Sequence, residues 1–397
     1  MDALQNPFSP GAGSPPPELA GRQSLLNRAK LTLARLKIQK SEKSLLLVGL
    51  RGVGKTVLLN RMQQVAEAEG YRAFMIEAHE NKSLAALLLP PLRQLLFSLD
   101  RMQNISGKVK RGFRILRSFL NGVKIKTKDV EISLDVDPEV GLADSGDLES
   151  DLPVLFEAVA EAAADRNVAV AIIIDELQYV TEKELSALIM AIHRITQKRL
   201  PLTLIGAGLP QLVALAGRSK SYAERLFDFP QVGPLEGQDA INALQEPVKA
   251  QKVQFTEDAL KEILAKTKGY PYFLQEWGYQ AWNIAPASPI DKKTVQKATS
   301  AAIHRLDESF FRVRFDRLTP REKEYLRALA DLGKGSQRSG DIADVLGVKV
   351  QSIAPIRNSL IKKGMIYSPA HGDTSFTVPL FDEFMKRVMP RERDNRP

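Results

Sequence analysis

Gly49-Leu50-Arg51-Gly52-Val53-Gly54-Lys55-Thr56 is the stretch that decides the fold. It matches G-x-x-x-x-G-K-[ST], and it lies between an apolar run at 44–49 and a helical pattern at 55–69. Strand, glycine-rich turn and helix in that order make an anion cradle. Gly49, Gly52 and Gly54 let the backbone curl so that successive N–H groups point inward, and the helix adds its positive end. Lys55 supplies a mobile ammonium for β- and γ-phosphates, and Thr56 a hydroxyl for Mg²⁺. The segment predicts an ATP–Mg²⁺ site.

A second motif lies downstream. Ile172-Ile173-Ile174 is a buried strand delivering Asp175 and Glu176 at its C-terminal end, the edge where open α/β sheets gather ligands. Asp175 is expected to hold Mg²⁺ through water, and Glu176 to polarise the attacking water as general base. The alternative is a pair of acids capping the next helix.

Outward from these motifs, apolar runs at 71–77, 168–174 and 202–206 alternate with helical patterns at 19–37, 83–99, 152–166 and 182–199. Pro90 and Pro91 should break or kink the 83–99 helix. Uniformly apolar strands alternating with helices predict a parallel sheet covered on both faces. After Pro234 four helical patterns follow, at 238–250, 257–268, 272–285 and 291–306. The expected organisation is a flexible arm (1–17), a P-loop core (18–233) with a charged insert (about 100–151), a helical lid (234–306), a C-terminal domain (307–390) and a tail (391–397). Trp277 and Trp282 read as lid core.

The C-terminal domain opens with Thr319-Pro320-Arg321-Glu322, a helix start with Thr as cap, Pro at the first position and Glu at the third. Ser339 should cap a second helix that Gly347 ends. A third should run over 352–363, with Pro355 in its first turn and Gly364 stopping it. Apolar segments at 366–368 and 375–378 flank His371-Gly372-Asp373 as two wing strands. The spacing looks like a winged helix-turn-helix. Its third helix would offer Gln351, Ser352, Arg357 and Asn358 to a major groove, with Lys349, Lys362 and Lys363 on phosphates. Winged helices also serve as protein contacts, so double-stranded DNA is one partner class and protein the other.

Charge is compatible with a polyanion. The chain has 397 residues and a net charge of +9. Residues 311–397 hold 17 basic and 11 acidic side chains, so +6 of that excess lies there. Residues 101–128 carry nine bases and no acid, and 129–151 nine acids and no base. Lys108, Lys110, Arg111, Arg114 and Arg117 crowd one expected helix, and 123–137 alternates as a hairpin does. The insert reads either as a phosphate or subunit contact, or as a solvated segment whose halves neutralise each other.

Other classes drop out. Hydrophobic residues at 44% and charged ones at 26% are ordinary for a globular chain. With no cysteine there is no disulfide, thiolate zinc site or iron–sulfur cluster, and the four histidines are scattered, so zinc is not expected. No apolar run approaches the ~18 residues that span a bilayer, and the opening residues lack a leader's pattern. The expectation is a cytoplasmic protein without a membrane partner.

Walker A, an Asp-Glu Walker B, a helical lid and a winged helix together resemble the AAA+ ATPases, and within them the origin-recognition-like (Orc/Cdc-type) branch of bacteria. Pro17-Glu18-Leu19-Ala20-Gly21-Arg22 is similar to that branch's adenine-side segment. The resemblance runs from about residue 16 to 390. It places an arginine finger within Ser221-Tyr222-Ala223-Glu224-Arg225-Leu226-Phe227, with Arg225 the candidate. That role implies a homo-oligomer in the ATP state; the alternative is a helix-end salt bridge. Two departures stand out. Gly206-Ala207-Gly208-Leu209-Pro210 lacks the polar side chain the family places at the end of the fourth strand. The lid segment Gly269-Tyr270-Pro271-Tyr272-Phe273 lacks the family's arginine. It resembles instead the Gly-x-Pro segment of signalling STAND NTPases, whose proline packs by the nucleotide. The resemblance thus implies a slow ATPase acting as a nucleotide switch on DNA, or a STAND-like signalling switch whose winged helix meets protein.

Overall fold

The structure is a computed structural model, and it describes residues 1–11, 19–100, 106–123, 136–370 and 372–391. Its centre is a parallel sheet of five strands: β1 (Ser44–Val48), β2 (Tyr71–Glu77), β3 (Ala169–Asp175), β4 (Leu202–Gly208) and β5 (Phe227–Asp228). They lie side by side in the order β2-β3-β4-β1-β5. Every residue of β1, β3 and β4 is buried, as uniformly apolar strands between two helix layers must be. Register sets the site: Glu77 pairs with Asp175 and Val48 with Gly208, so the strand ends align along one edge.

The helix expected to break at Pro90-Pro91 does not. It runs from Leu84 to Asp100 through both prolines. Leu88, Leu89, Leu92, Leu95, Leu96 and Leu99 are buried along it, and that burial outweighs the lost N–H donors. In the insert, Gly107–Gly122 is a helix capped by Ser106. The expected hairpin over 123–137 lies almost wholly outside the described residues.

The lid helices are Gly237–Lys249, Glu257–Thr267, Pro271–Ile284 and Lys292–Arg305. Beyond the last, the helix does not stop at the boundary expected at 306–307. It passes through a π-helical stretch, Leu306–Phe311, into Arg312–Phe315. Lid and C-terminal domain consequently share one core. Phe273 packs edge-on against Phe310, and Phe311 stacks on Phe384 with ring centroids 5.2 Å apart.

The C-terminal domain holds the helices Pro320–Asp331, Ser339–Leu346 and Val350–Lys362, then Phe381–Val388. Beside them lies a small antiparallel sheet of β6 (Gln337–Arg338), β7 (Ile366–Tyr367) and β8 (Asp373–Phe376), in the order β6-β8-β7. Thr319 and Glu322 form a reciprocal capping box. Ser339 is the first helical residue, with Arg338 in the capping position. The third helix starts at Val350, two residues earlier than the pattern implied, so Pro355 falls in its second turn.

The expected flexible arm is, over its first eleven residues, packed against the lid. Phe8 is 2% exposed, and its ring fills the notch left by Gly278, where a Cβ would lie 2.6 Å from it. The Asn6 amide donates to Tyr279 O at 3.1 Å, and the Trp282 indole donates to Asp2 O at 2.8 Å. An aromatic with a matching notch overrides a composition that otherwise reads as loose.

Candidate nucleotide site

The glycines of the loop do distinct work. Gly52 and Gly54 have φ of +81° and +89°, the left-handed region that L side chains avoid. Gly49 is held by space, since a Cβ there would lie 2.2 Å from Val232 O. Lys55 opens the following helix and is 6% exposed. Its ammonium donates to Gly49 O and Leu50 O, both at 2.9 Å, inside the turn. Burial lowers its pKa, against the attraction of Glu176 and Asp175.

Across the loop, the Thr56 hydroxyl donates to Asp175 Oδ2 at 2.5 Å. Asp175 is 2% exposed, and burial pushes its carboxyl pKa up. The Thr56 and Glu176 donors and the Lys55 charge pull the other way without cancelling that effect. A buried carboxylate beside a hydroxyl fits Mg²⁺, which takes one or two protein oxygens and fills its octahedron with phosphates and water. Glu176 sits at φ +54°, a strained backbone for a non-glycine residue, at the head of a short turn, Leu177–Tyr179.

Gln178, which the sequence reading passed over, connects that turn to the fourth strand. Its amide donates to Glu176, and its Oε1 accepts the Leu209 N–H at 3.0 Å. Gln178 thus ties the Glu176 carboxylate to the backbone at the end of β4, a strand end without a polar side chain of its own. The signal was Gln at the second place past Glu176, next to a β4 end built of glycine and alanine. The first polar side chain on the β4 side, Gln211, has a buried Oε1 without a hydrogen-bond partner among the described residues.

A cavity of about 550 Å³ lies over the loop. Leu19, Ala20 and Ala243 line one part of it, and Arg51, Lys55, Thr56, Asp175 and Glu176 another. Pro271 is the first residue of its lid helix and forms part of the wall. The next residue ties lid to loop, Tyr272 N donating to Gly52 O at 3.2 Å. Arg22, 8% exposed, braces the loop from the other side through Val53 O and Gly233 O. Ser9, Pro10 and Gly11 of the packed arm also line the cavity.

The C-terminal domain reaches the same loop. Arg51 N donates to Thr377 O at 3.2 Å. Its guanidinium donates to Gly364 O at 3.3 Å and to Tyr179 Oη at 2.7 Å.

Of the residues expected to face a groove, Lys349, Gln351, Ser352, Asn358 and Lys362 are exposed. Gln351, Asn358 and Lys362 recur at helical spacing along one side of Val350–Lys362. Two of the expected residues are engaged within the domain. The Arg357 guanidinium is held inside the domain by Thr374 Oγ1, Ser368 Oγ and Asp373 O, at 2.7–3.0 Å. Lys363 pairs with Glu322 at 2.7 Å. Both serve to tie helix to wing or helix to helix. Arg225 lies on the surface in the short helix Ala223–Leu226 and does not line the cavity. In the insert, Arg111 and Arg114 meet Glu139 at 3.3 and 3.8 Å, and Lys108 meets Glu161 at 2.9 Å, so part of the basic helix is neutralised at home.

Sheet order, glycine loop and paired acids define a P-loop nucleotide-binding fold. Residues 18–205 match the AAA ATPase domain family, and that part of the chain is an AAA ATPase domain. Residues 308–385 match a domain of unknown function. The chain is 23% identical over 348 residues to the uncharacterized HTH-type transcriptional regulator MJ0774 of Methanocaldococcus jannaschii, covering 83% of this chain and 79% of that protein. Its fold is similar to the Walker-type ATPase paby2304 of Pyrococcus abyssi, at 16% identity and a TM-score of 0.54, over 93% of this chain and 96% of that one. Cdc6p of Pyrobaculum aerophilum aligns over 98% of this chain and 99% of its own, at 14% identity and a TM-score of 0.48. No helix among the described residues is long and apolar enough to cross a membrane.

Proposed function

We propose that the protein is an ATP–Mg²⁺-dependent switch of the Orc/Cdc type that hydrolyses ATP slowly and passes its nucleotide state to a DNA-binding winged helix. One observation carries this reading: the loop meant for phosphates is hydrogen-bonded at once to the lid, through Tyr272, and to the C-terminal domain, through Arg51. Whatever occupies the cavity acts on all three bodies.

In this reading Gly52, Gly54 and the Lys55 helix cradle the phosphates, and Lys55 releases its loop carbonyls to meet them. Thr56 and Asp175 hold Mg²⁺, which supplies charge neutralisation on the phosphates when bound. Glu176 takes a proton from the attacking water, held in place by Gln178. Arg225 reaches a neighbouring copy's nucleotide, so turnover requires a homo-oligomer. The relative named as an HTH-type regulator, and the exposed face of Gln351, Asn358 and Lys362, favour duplex DNA as partner. The involvement of Arg357 and Lys363 within the domain leaves room for the STAND-like alternative, a winged helix that meets protein.

The test is binding of a labelled duplex without nucleotide, with ADP and with ATP–Mg²⁺, at two salt concentrations. The proposal expects ATP-enhanced affinity that falls steeply with salt, log K dropping by about 0.9 per phosphate contact for each decade of salt. Nucleotide uptake without duplex binding under any condition would favour the signalling switch. Lys55→Ala should abolish nucleotide binding in a direct titration; retained affinity would refute the P-loop assignment.

A further inference from the structure

Arg314 belongs neither to the glycine loop nor to the four lid helices, yet it lines the nucleotide cavity. It sits in Arg312–Phe315, the last turns of the helix that runs on from the lid. Its guanidinium donates to Phe310 O and lies over the Phe310 ring, 4.0 Å from the centroid. Among the described residues no carboxylate comes within ion-pair distance of it. Three acids line the cavity: Asp175 is engaged by Thr56 and the Glu176 N–H, Glu176 by Gln178, and Glu77, exposed at the end of β2, makes no ion pair with Arg314. Burial, helped by repulsion from Arg51 and opposed by Tyr272 and Tyr179, lowers the Arg314 pKa to about 10.

A largely buried guanidinium without a carboxylate at ion-pair distance is costly unless an anion arrives. The Phe310 ring and carbonyl contact the guanidinium, but neither neutralises its charge. Nor do they explain why Arg51, Lys55 and Arg314 line one cavity together with Arg22, with Arg51 near enough to repel both Lys55 and Arg314. The charged and apolar parts of that cavity are distinct. Arg51 hydrogen-bonds Tyr179, which lies three residues past Glu176, whereas Leu19, Ala20 and Ala243 supply the apolar wall suited to a base.

We propose that Arg314 is a ligand of the terminal phosphate of a bound nucleoside triphosphate. The proposal rests on the cavity being the nucleotide site argued above. It replaces the missing lid arginine with one delivered from beyond the lid. The same helix carries Phe311, stacked on Phe384, so the contact ties the presence of a third phosphate to the placement of the C-terminal domain.

The experiment is equilibrium titration of the full chain with fluorescent ATP and ADP in Mg²⁺, comparing wild type, Arg314→Ala, Arg314→Gln, Arg314→Lys and Lys55→Ala. A charge-assisted bond to one phosphate predicts a loss of ATP affinity of about tenfold to hundredfold in Arg314→Ala and Arg314→Gln, with ADP affinity changed by less than about threefold. Arg314→Lys should recover part of the ATP affinity, because it keeps the charge. Equal losses for ATP and ADP, or no ATP loss, would overturn the assignment. If the alanine variant fails to fold, the glutamine and lysine variants carry the same comparison. Lys55→Ala separates the two claims: both nucleotides retained there would sink the P-loop reading itself, whereas an intact P-loop effect without ATP-specific loss at Arg314 sinks only the arginine.

Discussion

Glu176 and Gln178 act as a pair. The carboxylate sits on a strained backbone and takes the Gln178 amide, whose oxygen is fixed by the Leu209 N–H. Glu176→Gln should lower kcat by about 10²- to 10⁴-fold while ATP is retained, because it removes the proton acceptor and leaves the phosphate cradle. Gln178→Leu should lower kcat by roughly tenfold to hundredfold with KM little changed, since it loosens the base without touching the cradle. A Gln178→Leu enzyme with wild-type kcat would dismiss the positioning role. Asp175 offers a check in stability. Its folded pKa is raised, so its contribution is fully present below the unfolded carboxylate pKa and is lost as pH rises through the folded value. Asp175→Asn should therefore melt higher than wild type at neutral pH without ligand, and lose that advantage when Mg²⁺–ATP is added. Calorimetry with and without nucleotide reads both.

Elements were legible where a local rule governs them. β2 falls on 71–77 as its apolar run indicates, and the Thr319 box starts its helix where Thr-Pro-Arg-Glu places it. The Walker residues follow from spacing alone, because glycine, lysine and hydroxyl must come in that order to wrap a phosphate. What stayed hidden depends on partners distant in sequence. Nothing local shows that Phe8 finds the Gly278 notch, that buried leucines carry a helix through Pro90-Pro91, or that Gln178 ties Glu176 to the end of β4. The run from Lys292 to Phe315 was half legible: no glycine or proline interrupts it, but a π-stretch at Leu306–Phe311 is a property of packing. That stretch turns Phe311, 1% exposed, into the core shared by lid and C-terminal domain. Phe311→Ala should cost about 3–5 kcal/mol and uncouple the two in thermal unfolding, splitting one transition into two. A single unshifted transition would mean that the shared core is not what joins them.

At the scale of the whole molecule, nucleotide loop and winged helix are joined by two routes. One is the continuous helix from the lid; the other is Arg51, whose backbone and side chain both reach the C-terminal domain. Gly364 makes the second route possible, since a Cβ there would lie 2.6 Å from the Arg51 guanidinium. If ATP changes duplex affinity by some factor, duplex must change ATP affinity by the same factor, because linkage is reciprocal. Both numbers can be measured on the same preparation, and unequal factors would show that the nucleotide and the duplex do not act on one equilibrium. Arg51→Ala removes the side-chain half of the second route and leaves Lys55, Thr56 and Asp175 in place. It should weaken ATP binding less than Lys55→Ala does and keep duplex binding without nucleotide, while the factor linking them moves toward one. An unchanged factor would assign the coupling to the Lys292–Phe315 helix alone, and Phe311→Ala would then be the variant in which it collapses.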